Sequence, residues 1–318
     1  MLFISDLNLS MAPSWFGQMK ADIDGMGLAD WIFPGFLFIV GISIPFSISK
    51  RISSGIEVRD LSRHIIIRWI SLIIIGVLIL NSNRVDAELT GINKNLWAVL
   101  MYLGIFLIWN DYQDKENNFF TITTLKLLGI AILVFLIMKF KSGQPENNGS
   151  LITSWWGYLG VIAWGYVIGA FTFLICRNSI FFTSIITSAF LILNILSGLD
   201  ILNISGIPGM LFGTILQGAV PFIVLSGLIT GLIIKKKDDL STLSTLIILN
   251  SLALFYLSAG FIMRKWFIIS MINATPSWGL ICIGISILIF TLLYWIFNIL
   301  HTKTKIDFLR NAGVYSLT

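Results

Sequence analysis

The feature that most constrains this chain is a series of nine apolar runs, each bounded by charged or turn residues, spread along its whole length. They fall at residues 29–49, 65–80, 96–109, 125–140, 157–176, 180–196, 210–234, 243–261 and 278–300. A helix rises 1.5 Å per residue, so about 20 apolar residues cross the hydrocarbon core of a bilayer. Barrel strands alternate apolar and polar positions, whereas these runs are uniformly apolar. Every backbone amide in hydrocarbon needs an internal partner. The expected fold is therefore all-α: a polytopic transmembrane helical bundle of about nine spans, forming one integral membrane domain over residues 1–318. Residues 1–9, MLFISDLNL, would make only half a span. They read as an interfacial stub or as the outer half of a helix that begins upstream.

Composition excludes the other classes. Hydrophobic residues are 56% of the chain and charged residues 12%, against about 25% charged in a soluble domain. The 24 Phe and 11 Trp exclude disorder. The net charge of +5 comes from basic residues scattered through short loops, so the expected partner is the lipid bilayer and not nucleic acid. Cys176 and Cys282 sit inside apolar runs and read as buried free thiols. His64 and His301 lie in separate loops, so no metal-ligand set forms from spacing and no metal is expected.

Taking loops alternately, fourteen of the 21 Lys and Arg fall on one side and seven on the other. The positive-inside rule makes the richer side cytoplasmic, in a cell (inner) membrane. Loops 10–28, 81–95, 141–156, 197–209 and 263–277 then face outward. Asp30, Arg68 and Lys126 are expected in the first turns of their helices, leaving no ionisable group near the centre of a span. That weighs against a proton- or sodium-coupled transporter but leaves uncoupled transport open. The seventh run has the look of a broken helix, with Gly213, Gly218, Pro221, Gly227 and Gly231 around Gln217. Small residues are also how membrane helices pack closely, and packing is the expected reading there, as it is for Gly165 and Gly169.

The outward stretch 15–30, WFGQMKADIDGMGLAD, differs in kind. It sets Asp22, Asp24 and Asp30, with Gln18 and Lys20, just ahead of a helix beginning WIFPGF. A partly desolvated carboxylate at the mouth of a bundle is a candidate general base or amine-binding group. A solvated loop with Asp30 as helix N-cap is the plainer reading, and spacing alone favours it.

DGMGLADWIFPGFLFIVGISIPF, SWWGYLGVIAWGY and ATPSWGLICIGIS, with MLFISDL and AGVYSLT at the two ends, carry a resemblance. The chain resembles the heparan-α-glucosaminide N-acetyltransferase-like membrane acyltransferases, in their bacterial, DUF5009-type branch. The resemblance implies transfer of an acetyl group from cytoplasmic acetyl-CoA to an outward-facing amino sugar or glycan. Asp30, Asp24 and position 18 would form the catalytic site, and Arg68 would bind the CoA phosphates unless it is only a positive-inside anchor. Two departures stand out: Ser5 replaces an asparagine of the relatives, and Gln18 stands where they place a histidine. Glutamine has no nitrogen that titrates near neutral pH. The relatives also extend beyond both ends, so the chain reads as truncated. A catalytically impaired relative that binds a glycan or acyl donor without turnover is the alternative, and an uncoupled transporter a third.

Overall fold

A computed structural model describes residues 13–110, 112, 119–143, 149–153, 156–202, 206–236 and 242–299. The half span expected at residues 1–9, Ser5, His301 and the AGVYSLT end lie outside them. After a 3₁₀ turn at Ser14–Phe16 the helices are α1 (Leu28–Ser53), α2 (Val58–Ser82), α3 (Ala87–Thr90), α4 (Lys94–Trp109), α5 (Phe119–Lys139) and α6 (Gly157–Cys176). Then follow α7 (Ile180–Gly198), α8 (Gly206–Leu216), α9 (Ala219–Lys235), α10 (Thr242–Met263) and α11 (Pro276–Ile299). Seven of them are long and apolar enough to cross a membrane, and α4 and α9 are shorter apolar helices. The chain is a multi-pass membrane protein with a helical fold. The only extended pairing among the described residues is the isolated bridge between Val85 and Ser142.

The chain divides into two compact units, with the boundaries falling inside α2 and α6. One unit comprises Ile70–Val161 among the described residues. In it α4 packs on α5 around Trp97, Met101, Leu133 and Leu136, all buried. Asn81 closes a two-way bond with Ile152, donating from Nδ2 to the carbonyl at 2.8 Å and accepting the amide at 3.0 Å. Asp86 caps α3 by accepting the Glu88 and Leu89 amides.

The other unit comprises residues 13–69 and 162–299. At its centre is α9, buried along most of its length, with α1, α7 and α11 against it. A Cβ on Gly41 would stand 2.0 Å from the Val224 carbonyl oxygen, and one on Gly227 would stand 2.1 Å from that of Phe38. Gly231 meets Ile42 and Pro45 in the same way. Two helix backbones therefore touch, which small residues permit and any side chain forbids. Gly165 and Gly169, as expected, mark a close contact, with Val224 and Ile44 against them.

Two expectations need correction. The seventh run is not one helix: it breaks between α8 and α9 at Gly218, which has φ 78°. The left-handed region suits glycine, and a Cβ there would also stand 2.3 Å from the Phe190 carbonyl oxygen. The packing reading holds for Gly227 and Gly231, while the break lies at Gly218. The second correction concerns Arg68 and Lys126, which are not in first turns. The polar stretch VRDLSRH continues the second run as helix, so α2 starts at Val58, and α5 starts at Phe119. Arg68 thus lies about 15 Å, and Lys126 about 10 Å, along its helix.

Gly227→Val is expected to destabilise the protein by on the order of 3 kcal/mol through overpacking at α1. Gly213→Ala, where nothing lies within 4 Å of the added Cβ, should be neutral. Thermal unfolding in detergent followed by size exclusion separates the two outcomes.

Candidate functional site

The start of α1 is built from both sides. Gly27 is the N-cap and Asp30 the third helical residue, so Asp30 is not the cap the spacing favoured. Glycine offers no capping side chain. Instead, Asp30 Oδ2 reaches back to accept the Gly27 amide at 2.8 Å and the Met19 amide at 3.0 Å. The helix N-terminus favours a negative charge there. Asp30 is 1% exposed, and its second oxygen, Oδ1, is buried with no hydrogen-bond partner among the described residues. Gly27 is required by shape, because a Cβ would stand 2.0 Å from the Gly17 carbonyl oxygen. The DGMGLAD motif therefore folds the 15–19 loop down onto α1, and Asp30 fixes the backbone beside Gln18.

Asp24 faces another way. It accepts the Ile269 amide at 2.8 Å and the Arg264 guanidinium at 2.9 Å. The Ile269 amide first, and then Arg264, hold its carboxyl below the usual aspartate range. The Gly25 amide bonds the Ile269 carbonyl, and Asn273 Nδ2 donates to the Ala21 carbonyl at 3.1 Å. Gln18 Nε2 lies 3.8 Å from Met271 Sδ. Trp278 Nε1 donates to the Asp30 carbonyl at 3.1 Å and Trp31 Nε1 to Ser286 Oγ at 3.3 Å, tying α1 to α11. Gln18, Asp24 and Asp30 are thus brought to one end of the bundle, on two sides of one loop. Asp30 is sealed within it and Asp24 is on its surface.

Residues 8–164 match the family model described as a domain of unknown function, DUF5009. The chain carries a DUF5009 domain. It is 30% identical over 138 residues to heparan-alpha-glucosaminide N-acetyltransferase of Mus musculus, an alignment covering 36% of this chain and 21% of that protein. The chain therefore spans about a fifth of that relative's length. No solved structure matches the chain. The DUF5009 match takes in the 15–30 loop, α1 and Arg68, but not the 264–275 loop that holds Asp24.

Arg68 is well separated along its helix from the expected anchor position. It is exposed, with its guanidinium 5.0 Å over the Tyr166 ring. Arg51 is near enough to act electrostatically on His64 and Tyr166 together with Arg68, so the two arginines make one basic patch beside them. Lys235 Nζ, at the end of α9, donates to Ser49 Oγ and to Asn178 Oδ1 at 3.0 Å. No group of three or more His, Cys, Asp or Glu placed to hold a metal occurs among the described residues.

Arg264, Ile269 and Asn273 escaped the sequence reading. Their partners lie 240 to 252 residues away, and nothing local marks them. A carboxyl held low contributes to folding above its unfolded pKa and loses that contribution as pH falls through the lowered value. Amide protection of Ile269, corrected for intrinsic exchange, should hold down to about pH 4, the usual aspartate value, and fall below it. Asp24→Ala should show the low-pH behaviour already at pH 7. Full protection at pH 3 and in the variant would show that Gly25 and Asn273 hold the loop without Asp24.

Proposed function

We propose that the chain is a membrane acyltransferase homologue that moves an acetyl group from acetyl-CoA to an amino sugar or glycan at the Asp30 end. The supporting observation is that Asp30, in the family-like motif, holds the Met19 amide next to position 18. Acetyl-CoA would supply an activated thioester. Arg51 and Arg68 carry the charge to receive its phosphates, and Arg68 is exposed. In the transfer, a C–N bond forms as the C–S bond breaks, CoA leaves as its thiolate, and the proton given up by the attacking amine passes through solvent to that thiolate. Gln18 is unable to take that proton. Asp30, buried at 1% exposure, acts as a positioning residue for the loop, and Asp24 with Arg264 holds its far side.

Gln18 also favours the second reading, a relative that binds donor or glycan with little turnover. A missing general base typically costs about 10² to 10⁴ in rate. The chain should therefore bind acetyl-CoA and transfer little. Gln18→His should raise transfer to glucosamine by a factor in that range, Gly17→His should not, and Asp30→Asn in the Gln18→His background should lower it again. If Gln18→His leaves transfer unchanged while acetyl-CoA still binds, the binding-protein reading replaces the enzyme.

In this proposal the end carrying Lys50, Arg51 and Lys235 faces the cytoplasm of a cell membrane, by the division of basic residues. In a background without Cys176 and Cys282, Ser54→Cys should be labelled only after permeabilisation and Asn93→Cys in intact cells. The reverse pattern inverts the orientation.

A further inference from the structure

At the Asp30 end of the same unit, two cavities of opposite chemistry share a wall. One is a polar cleft of about 580 Å³ between the end of α7, the α8–α9 break and the 266–275 loop. Ser197, Asp200, Gln217 and Asn273 bring a hydroxyl, a carboxylate and two amides to it. The other is an apolar cavity of about 440 Å³ between α7, α9 and α10, lined among others by Leu191, Phe222, Leu252 and Ala259. Trp266, 69% exposed, lines both.

The cleft is braced from below. Asn194 is 3% exposed, and its Nδ2 donates to the carbonyls of Gln217 and Ala274, both at 2.9 Å. One buried side chain therefore ties two walls of the cleft together, while its Oδ1 is buried without a hydrogen-bond partner among the described residues. The cleft also backs onto the loop of position 18, because Asn273 bonds Ala21 and Met271 contacts Gln18.

A sugar ring offers an apolar C–H face and a rim of hydroxyl donors and acceptors. An aromatic wall with planar amides and a carboxylate matches both. Lys and Arg are absent from the lining among the described residues, so Asp200 favours an amine-bearing headgroup and repels the phosphate of a bulk phospholipid. The apolar cavity on the other side of Trp266 matches a hydrocarbon chain.

We propose that the two cavities together bind a lipid-linked amino sugar, with the sugar in the polar cleft against Trp266 and the chain in the apolar cavity. Its role as the acyl acceptor rests on the function proposed above; its binding does not.

The test measures calorimetric binding to the full chain in nanodiscs, without acetyl-CoA, for glucosamine, octyl glucosaminide below its micellar concentration, and octanol. Each methylene taken out of water strengthens binding about fourfold, so a chain even partly seated makes the glycoside bind about tenfold or more tighter than the free sugar. Asp200→Asn should weaken glucosamine and glycoside alike. Ala259→Trp, which fills the apolar cavity, should weaken the glycoside alone. Glycoside binding no tighter than glucosamine overturns the proposal without any variant, and so does octanol binding that matches the glycoside. Acetyl transfer is read separately. In the Gln18→His variant, glycoside binding without transfer refutes the acyltransferase and leaves this site standing, while transfer to free glucosamine with no preference for the glycoside does the opposite.

Discussion

Within the larger unit, everything depends on one backbone contact, that of α1 with α9 at Gly41, Gly227 and Gly231. Lipid tails are as apolar as leucine, so burial of hydrocarbon does not drive these helices together; close van der Waals approach does. The contact sets two helices in register, and each carries something at both ends. α1 begins at Asp30 and ends at Lys50 and Arg51, while α9 begins at the Gly218 break and ends at Lys235. A shift of either helix would separate Ser49 from Lys235 at one end and disturb the loops over Asp30 at the other.

The Asp30 end is polar structure placed on an apolar bundle, and its loops are held mainly by side chains bonding to backbone. Asp30 takes two amides, Asp24 one, Asn194 two carbonyls, and Thr275 the Ser270 amide. A buried polar atom costs free energy unless paired, so such loops persist only where nearly every group finds a partner. Asp30 Oδ1 and Asn194 Oδ1 are exceptions, and both lie at this end. Elsewhere in this unit, hydroxyls such as those of Ser226, Thr230 and Thr291 bond carbonyls four residues back on their own helices.

The helices were largely legible because hydropathy is a property of contiguous residues. Among the described residues, eight of the nine runs each lie along one helix and the seventh lies along two. Where the sequence reading failed, a contact between distant residues decided. Apolar length alone placed the start of α2 near Ile65, yet VRDLSRH is helical and moves Arg68 inward. Asp30 resembles an N-cap by spacing, but the approach of Gly17 leaves room only for glycine at that position and displaces the carboxylate to the third residue.

By itself the sequence determined the solvent of this protein, the rough position of most of its helices, the basic and acidic stretches between them, and the motif that marks the family. These follow from runs of neighbouring residues whose transfer free energies add along the chain. Only the tertiary structure decided that α8 and α9 are separate helices, that Asp30 is sealed and bound to Met19, and that Asp24 meets Arg264 across 240 residues. It also decided that a polar cleft and an apolar cavity meet at Trp266. Each of these is a contact between segments far apart in the chain, set by where glycine lets backbones touch, and the local pattern of residues carries no record of the partner.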